Sequence, residues 1–202
     1  MEPFFHPAFT AWGSPVTWLE LLAVILSVAM VWCNQRQWIA AWPLAIASSA
    51  LYGLFFWHGR LYGEAGLQAF FIVLAAWGWW QWFRGEAGHA LPVRRLSRRG
   101  WAWSLGTVAL GWPLLGAFLQ HATDSPVPYW DALPTVASVV ATVLLGRKLI
   151  ENWTFWVAIN AVSVSLFAYK GYWLTVMLYT AFIPLAAWGW WRWQRELLDA
   201  PA

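Results

Sequence analysis

An eleven-residue block occurs twice in this chain. Leu74-Ala75-Ala76-Trp77-Gly78-Trp79-Trp80-Gln81-Trp82-Phe83-Arg84 returns as Leu185-Ala186-Ala187-Trp188-Gly189-Trp190-Trp191-Arg192-Trp193-Gln194-Arg195, with nine of eleven positions identical and an offset of 111. Ser14-Pro15-Val16 returns as Ser125-Pro126-Val127 at the same offset. Residues 14–84 and 125–195 therefore read as copies with no net gap between these anchors. Any fold for this chain must build one supersecondary unit twice.

Composition sets the solvent. The chain is 61% hydrophobic and 10% charged, with 21 tryptophans, and its mean hydropathy is +0.51. An average soluble domain is about 25% charged. So few charges cannot cover so much apolar surface in water. Cys33 is the sole cysteine, which excludes an internal disulfide and disfavours a cysteine-based metal site. The histidines at 6, 58, 89 and 121 form no close pair. The start, with acidic Glu2, lacks the basic opening of a cleaved signal peptide, so the first apolar run is expected to remain as a span.

The apolar runs predict seven spans, near 17–34, 38–57, 61–83, 101–120, 130–147, 152–169 and 172–192. Pro43, Pro113, Pro134 and Pro184 fall inside them, as bundle-packed membrane helices tolerate. Segment 84–99 carries Arg84, Arg94, Arg95, Arg98 and Arg99 against Glu86, which places it in the cytoplasm. Alternation then puts ten of the twelve basic residues inside; Arg60 and Lys170 fall outside, with Asp124 and Asp131. The N-terminus is expected outside and the C-terminus in the cytoplasm. The net charge of +3 thus reflects span flanks rather than a nucleic-acid surface.

Three spans end on the side opposite their start, and a fourth restores it. The expected fold is an all-α polytopic membrane protein with a parallel 3+1+3 repeat. Its parts are an outer N-terminus 1–16, a first bundle 17–84, a basic loop 85–100, an inverting linker helix 101–120, an outer loop 121–129, a second bundle 130–195 and a tail 196–202. Transporters with parallel repeats bind substrate where the repeats meet. A duplicated scaffold or assembly protein without a cavity is the contrasting possibility.

Polar residues inside spans are the candidate ligand contacts. Trp153, Trp156 and Asn160 are spaced i, i+3, i+7 on one helical face, extended by Ser163 and Phe167. Flat rings and an amide suit a ligand with an aromatic system and hydroxyls; interhelical hydrogen bonding of Asn160 and interfacial anchoring of Trp153 are the structural alternatives. Glu64 and Gln68 share a face one turn apart in span 3. By the 111 offset, Gln68 corresponds to Tyr179, Trp153 to Trp42, Trp156 to Ala45 and Asn160 to Ser49. The scaffold is symmetric while its polar chemistry is not, as one asymmetric small molecule would require. The Trp-Gly-Trp-Trp-x-Trp ends read mainly as an aromatic belt, with Trp77 and Trp188 as gate candidates. No phosphate loop, metal cluster or nucleophile triad appears, so no catalytic residue, cofactor or metal is expected. Glu20 and Glu64 are the only acids placed to relay protons, which favours facilitated diffusion over ion coupling.

These residues resemble the PnuC family of vitamin transporters. The resemblance rests on Glu151-Asn152-Trp153-x-x-Trp156-x-x-x-Asn160, Pro128-Tyr129-Trp130-Asp131, Leu61-Tyr62-x-Glu64-x-x-Leu67-Gln68 and the Gly-Trp-Trp-x-Trp helix ends, over about residues 17–195. It implies a bacterial inner-membrane importer, similar in shape to the SWEET sugar transporters and often trimeric. Such importers work by facilitated diffusion, and a cytoplasmic kinase traps the product. The implied substrate is nicotinamide riboside, feeding NAD synthesis, with thiamine and then riboflavin as alternatives. Ala45, where a second tryptophan would stand, departs from the pattern.

Overall fold

The computed structural model describes residues 6–11, 14–58, 62–171 and 173–199. Two compact units result, Met1–Ala90 and Leu91–Ala202. The first holds strands β1 (Pro7–Ala11) and β2 (Ser14–Thr17) and helices α1 (Trp18–Gln35), α2 (Ala41–His58) and α3 (Tyr62–Arg84). The second holds α4 (Arg98–Ala122), α5 (Pro128–Gly146), α6 (Asn152–Tyr169) and α7 (Trp173–Asp199). Among the described residues the helices number seven, as the apolar runs predict. The helices coincide with the apolar runs to within a few residues, except that α7 continues to Asp199 and α4 begins at Arg98.

The hairpin β1–β2 is the element that apolar periodicity does not announce. Its strands pair antiparallel, Phe9 with Val16 and Ala11 with Ser14. Val16 and Leu19 are buried where the hairpin runs into α1. In the first unit α1 packs on α2 and α2 on α3. Ser48 on α2 bonds to α1 twice, through the Ser27 hydroxyl at 2.9 Å and the Ala23 carbonyl at 3.2 Å.

Helix ends obey the duplication. α2 and α6 begin and end 111 residues apart, and α3 and α7 begin 111 residues apart. The turns agree bond for bond. After α1, the Trp38 N–H donates to the Cys33 carbonyl at 2.9 Å; after α5, the Leu149 N–H donates to Leu144 at 2.9 Å. Gln37 donates to Asn34, as Lys148 does to Leu145; Ala41 donates to Trp38, as Asn152 does to Leu149. Gln37 and Lys148 hold φ of 55° and 51°, the left-handed residue that ends a helix and lets the chain reverse. Neither is glycine, so both copies keep a conformation that costs an L-residue roughly 1–2 kcal/mol.

In the second unit α4 packs on α5, α5 on α6 and α6 on α7. Ser97 caps α4 by accepting the Gly100 N–H at 3.1 Å, and Pro128 opens α5, where a missing N–H costs nothing. Val140, Ala141, Leu144, Phe155 and Ile159 form its core, with Trp101 and Trp156 packed against it. Trp103, Leu110, Leu114 and Phe118 are exposed along one side of α4. An outward apolar stripe of this kind suits lipid. Among the described residues, α4 and α5 are long and apolar enough to cross a membrane by hydropathy alone, at 1.4 and 1.3.

Candidate functional site

Trp153 opens α6 and is 3% exposed. Its ring lies over Gly189 of α7, so closely that a Cβ there would come within 2.7 Å of three ring atoms. One turn further, Trp193 meets it edge to face, with centroids 5.6 Å apart and planes at 88°. The first unit repeats this with Trp42, which is 2% exposed. Trp42 lies over Gly78, where a Cβ would fall 2.2 Å from the ring, and meets Trp82 at 5.4 Å and 89°. The duplicated Trp-Gly-Trp-Trp-x-Trp block is therefore a socket. Its glycine admits an indole from the preceding helix, and its last tryptophan closes over that indole's edge. Periodicity shows that Trp153 shares a face with Asn160; it cannot show that α7 covers that end of the face.

The rest of the stripe runs along α6. Phe167, near the far end, stacks on Tyr179 of α7 with centroids 5.3 Å apart and planes at 13°. Tyr179 also meets Phe182 edge to face at 6.2 Å. Asn160 and Ser163 lie between the two aromatic contacts, both buried. An amide and a hydroxyl thus sit midway along α6, between a tryptophan socket and a tyrosine stack. Trp156 is half-buried and rests against the α5–α6 core rather than in a socket.

The first-unit candidates are placed less distinctively. Ser49 is half-buried, while its neighbour Ser48 makes the described bonds to α1. Gln68 is half-buried on α3 at the level of Gly53 of α2, where a Cβ would approach the Gln68 Cβ to 3.4 Å. Glu64 falls within α3, but its side chain lies outside the described residues, as does that of Glu20. Trp77 and Trp188, the gate candidates, are each half-buried one residue before a socket glycine. Arg60 lies outside the described residues.

Charge collects at the two ends of the second unit. At one end Arg95 donates to Gln194 at 2.7 Å, and Arg195 covers the Trp191 ring at 3.8 Å. Arg84 covers Trp80 in the same manner in the first unit, at the equivalent positions. Burial pushes the Lys148 ammonium below the ordinary lysine range, with Glu196 pulling in the other direction. At the opposite end Lys170 bonds Asp131 at 2.5 Å, and Ser125 donates to the other oxygen of that carboxylate. Composition alone had not linked Lys170 to Asp131. Among the described residues no His, Cys, Asp and Glu cluster could hold a metal ion.

Comparison with known proteins matches the same span. The family model for the nicotinamide mononucleotide transporter matches residues 17–195. The riboflavin/roseoflavin transporter RibM of Streptomyces davaonensis is 32% identical over 212 residues, covering 96% of this chain and 97% of its own. The nicotinamide riboside transporter PnuC of Escherichia coli (strain K12) is 27% identical over 192 residues, covering 82% and 80%. The crystal structure of the vitamin B3 transporter PnuC matches with a TM-score of 0.75 over 91% of this chain and 83% of that one. At 21% identity that likeness is one of fold.

Proposed function

The chain belongs to the nicotinamide mononucleotide transporter family of multi-pass membrane vitamin transporters, and from that premise we propose that it imports nicotinamide riboside by facilitated diffusion. The observation that carries the reading is the buried Asn160–Ser163 pair on α6, set midway along the helix between two aromatic contacts. A buried amide and hydroxyl cost free energy unless something satisfies them. A ribosyl group or a carboxamide supplies the complementary donors and acceptors.

In this reading Trp156 and the Phe167–Tyr179 stack offer ring faces, and Asn160 and Ser163 offer hydrogen bonds. A cationic pyridinium gains about 0.5–2 kcal/mol from a ring face, depending on desolvation. Trp153 and Trp42 seat their helices rather than stack on substrate. Gln68 and Ser49 occupy the positions of Tyr179 and Asn160 in the first copy. Repeated helix ends and turns support a parallel 3+1+3 arrangement, with α4 as the inverting helix. The arginines of 84–99 support a cytoplasmic position for that segment. Net import then follows from phosphorylation inside, because the added phosphate, with a charge of about −1.5 to −2 at pH 7, is too strongly hydrated to re-enter the apolar path.

Riboflavin is the second reading, favoured by the similarity to RibM over nearly the whole of both chains. An isoalloxazine is also flat, and a ribityl chain also presents hydroxyls. Titration of purified protein with each vitamin separates the two. Micromolar affinity for nicotinamide riboside with none for riboflavin supports the first reading, and the reverse order installs the second.

A further inference from the structure

A separate length of chain lies along the turn between α5 and α6. The Arg94 N–H donates to the Lys148 carbonyl at 3.0 Å, and the Ile150 N–H donates to the Arg94 carbonyl at 3.0 Å, making a parallel bridge across Leu149. Two residues on, the Leu96 N–H donates to Oε2 of Glu151 at 2.7 Å. Arg95 holds Gln194 of α7, and the Leu96 side chain packs against the core of the unit. Ser97 then caps α4. The four residues from Arg94 to Ser97 thereby engage all four helices of the second unit or the turns between them.

The duplication shows which part of this is extra. In the first copy the same turn forms with the same backbone hydrogen bonds, yet Glu151 is replaced by Ala40 and Lys148 by Gln37. A carboxylate is therefore not needed to make the turn. Nor does Glu151 cap α6, for its side chain makes no cap hydrogen bond. It is nonetheless 8% exposed, and its described hydrogen bond is to the Leu96 amide. A carboxyl group is buried there to receive one N–H of the 94–97 segment.

We propose that Glu151 is a positioning residue, whose carboxylate clamps residues 94–97 onto the α5–α6 turn and so sets the start of α6, the helix that carries Trp156 and Asn160. The positioning half of this rests on the ligand face assigned to α6 above. Asn152 and Trp153, next along the chain, are buried, so a shift of the turn is passed along a rigid helix to Asn160 about two and a half turns away. The first copy carries no such acid at the equivalent position, and its turn is built without one.

Hydrogen exchange on the purified full-length chain tests the clamp without any ligand. Glu151→Ala raises exchange of the 94–97 amides by about tenfold or more, while amides 37–42 of the first copy keep their rates. Glu151→Gln retains an acceptor oxygen and the side-chain size, so it falls between; it also decides the matter alone if the alanine variant does not fold. Affinity for the transported vitamin falls about three- to tenfold in Glu151→Ala, and Glu151→Gln recovers most of it. Unchanged exchange at 94–97 in both variants overturns the clamp. Raised exchange with unchanged affinity overturns the positioning role. A wild-type protein that binds no vitamin overturns the ligand face instead, and exchange then decides the clamp by itself.

Discussion

The indole of Trp153 stands at 88° to that of Trp193 with centroids 5.6 Å apart, and 111 residues earlier Trp42 stands at 89° to Trp82 at 5.4 Å. Each pair is completed by a glycine one turn before the second tryptophan. Two bundles that have diverged at Asn160 and Ser49, and at Trp156 and Ala45, have kept this socket. It is the joint by which the second helix of each copy is locked to the third.

Adding one carbon to the socket is expected to break it. Gly189→Ala drives a Cβ to 2.7 Å from the rigid Trp153 ring, and Gly78→Ala drives one to 2.2 Å from Trp42. Overpacking of this kind costs about 1–3 kcal/mol, with Gly78→Ala the worse. Thermal unfolding of the detergent-solubilised variants reads this directly. Midpoints equal to wild type in both would show that the sockets are slack.

The socket tryptophans are expected to tolerate loss of their nitrogen better than loss of their ring. Among the described residues, neither the Trp42 nor the Trp153 indole N–H meets an acceptor. Trp153→Phe gives up part of the ring but also removes a buried orphan donor. Trp153→Ala empties the socket at about 3–5 kcal/mol. Comparable loss of thermal stability in the two variants would mean that the N–H carries a bond of its own.

Binding is expected to track α6 outside the socket. Asn160→Ala weakens vitamin affinity by about 1–2 kcal/mol through one lost buried hydrogen bond. Trp156→Ala weakens it further, by removing a ring face. Both are read by titration against wild type at matched monodispersity. Normal affinity in both variants would move the ligand face elsewhere.

Alkaline stability is expected to depend on Lys148. Burial lowers its pKa from the ordinary 10.5, and Glu196 opposes that. The unfolded chain therefore holds this proton more tightly than the folded chain. Stability rises with pH between the lowered value and 10.5. Lys148→Met has no proton to lose, so its unfolding midpoint rises less than that of wild type over that range. Parallel profiles would show that the ammonium is solvated in both states.

Much of this was legible from residue order. Apolar runs located the helices, because a helix in lipid must satisfy its own backbone. The 111 offset set the register between copies, and the matching turns at Gln37 and Lys148 follow that register. What stayed hidden was contact between distant segments. The i, i+3, i+7 spacing placed Trp153 beside Asn160 but could not say that Gly189 would cover it. Glu151 gives no sign in sequence that its partner is a backbone amide 55 residues away. The hairpin at Pro7–Thr17 gives no sequence signal because its strands are short and carry Pro7 and Pro15, with no regular alternation.

Passive transport of a vitamin through this chain is the proposed activity. Purified protein in liposomes, with labelled nicotinamide riboside outside and neither ATP nor an ion gradient, tests it most directly. Saturable uptake is expected that stops when inside and outside concentrations are equal, and that continues when a riboside kinase and ATP are enclosed. Absence of uptake for nicotinamide riboside and riboflavin alike, or accumulation driven by an imposed proton gradient, would contradict it.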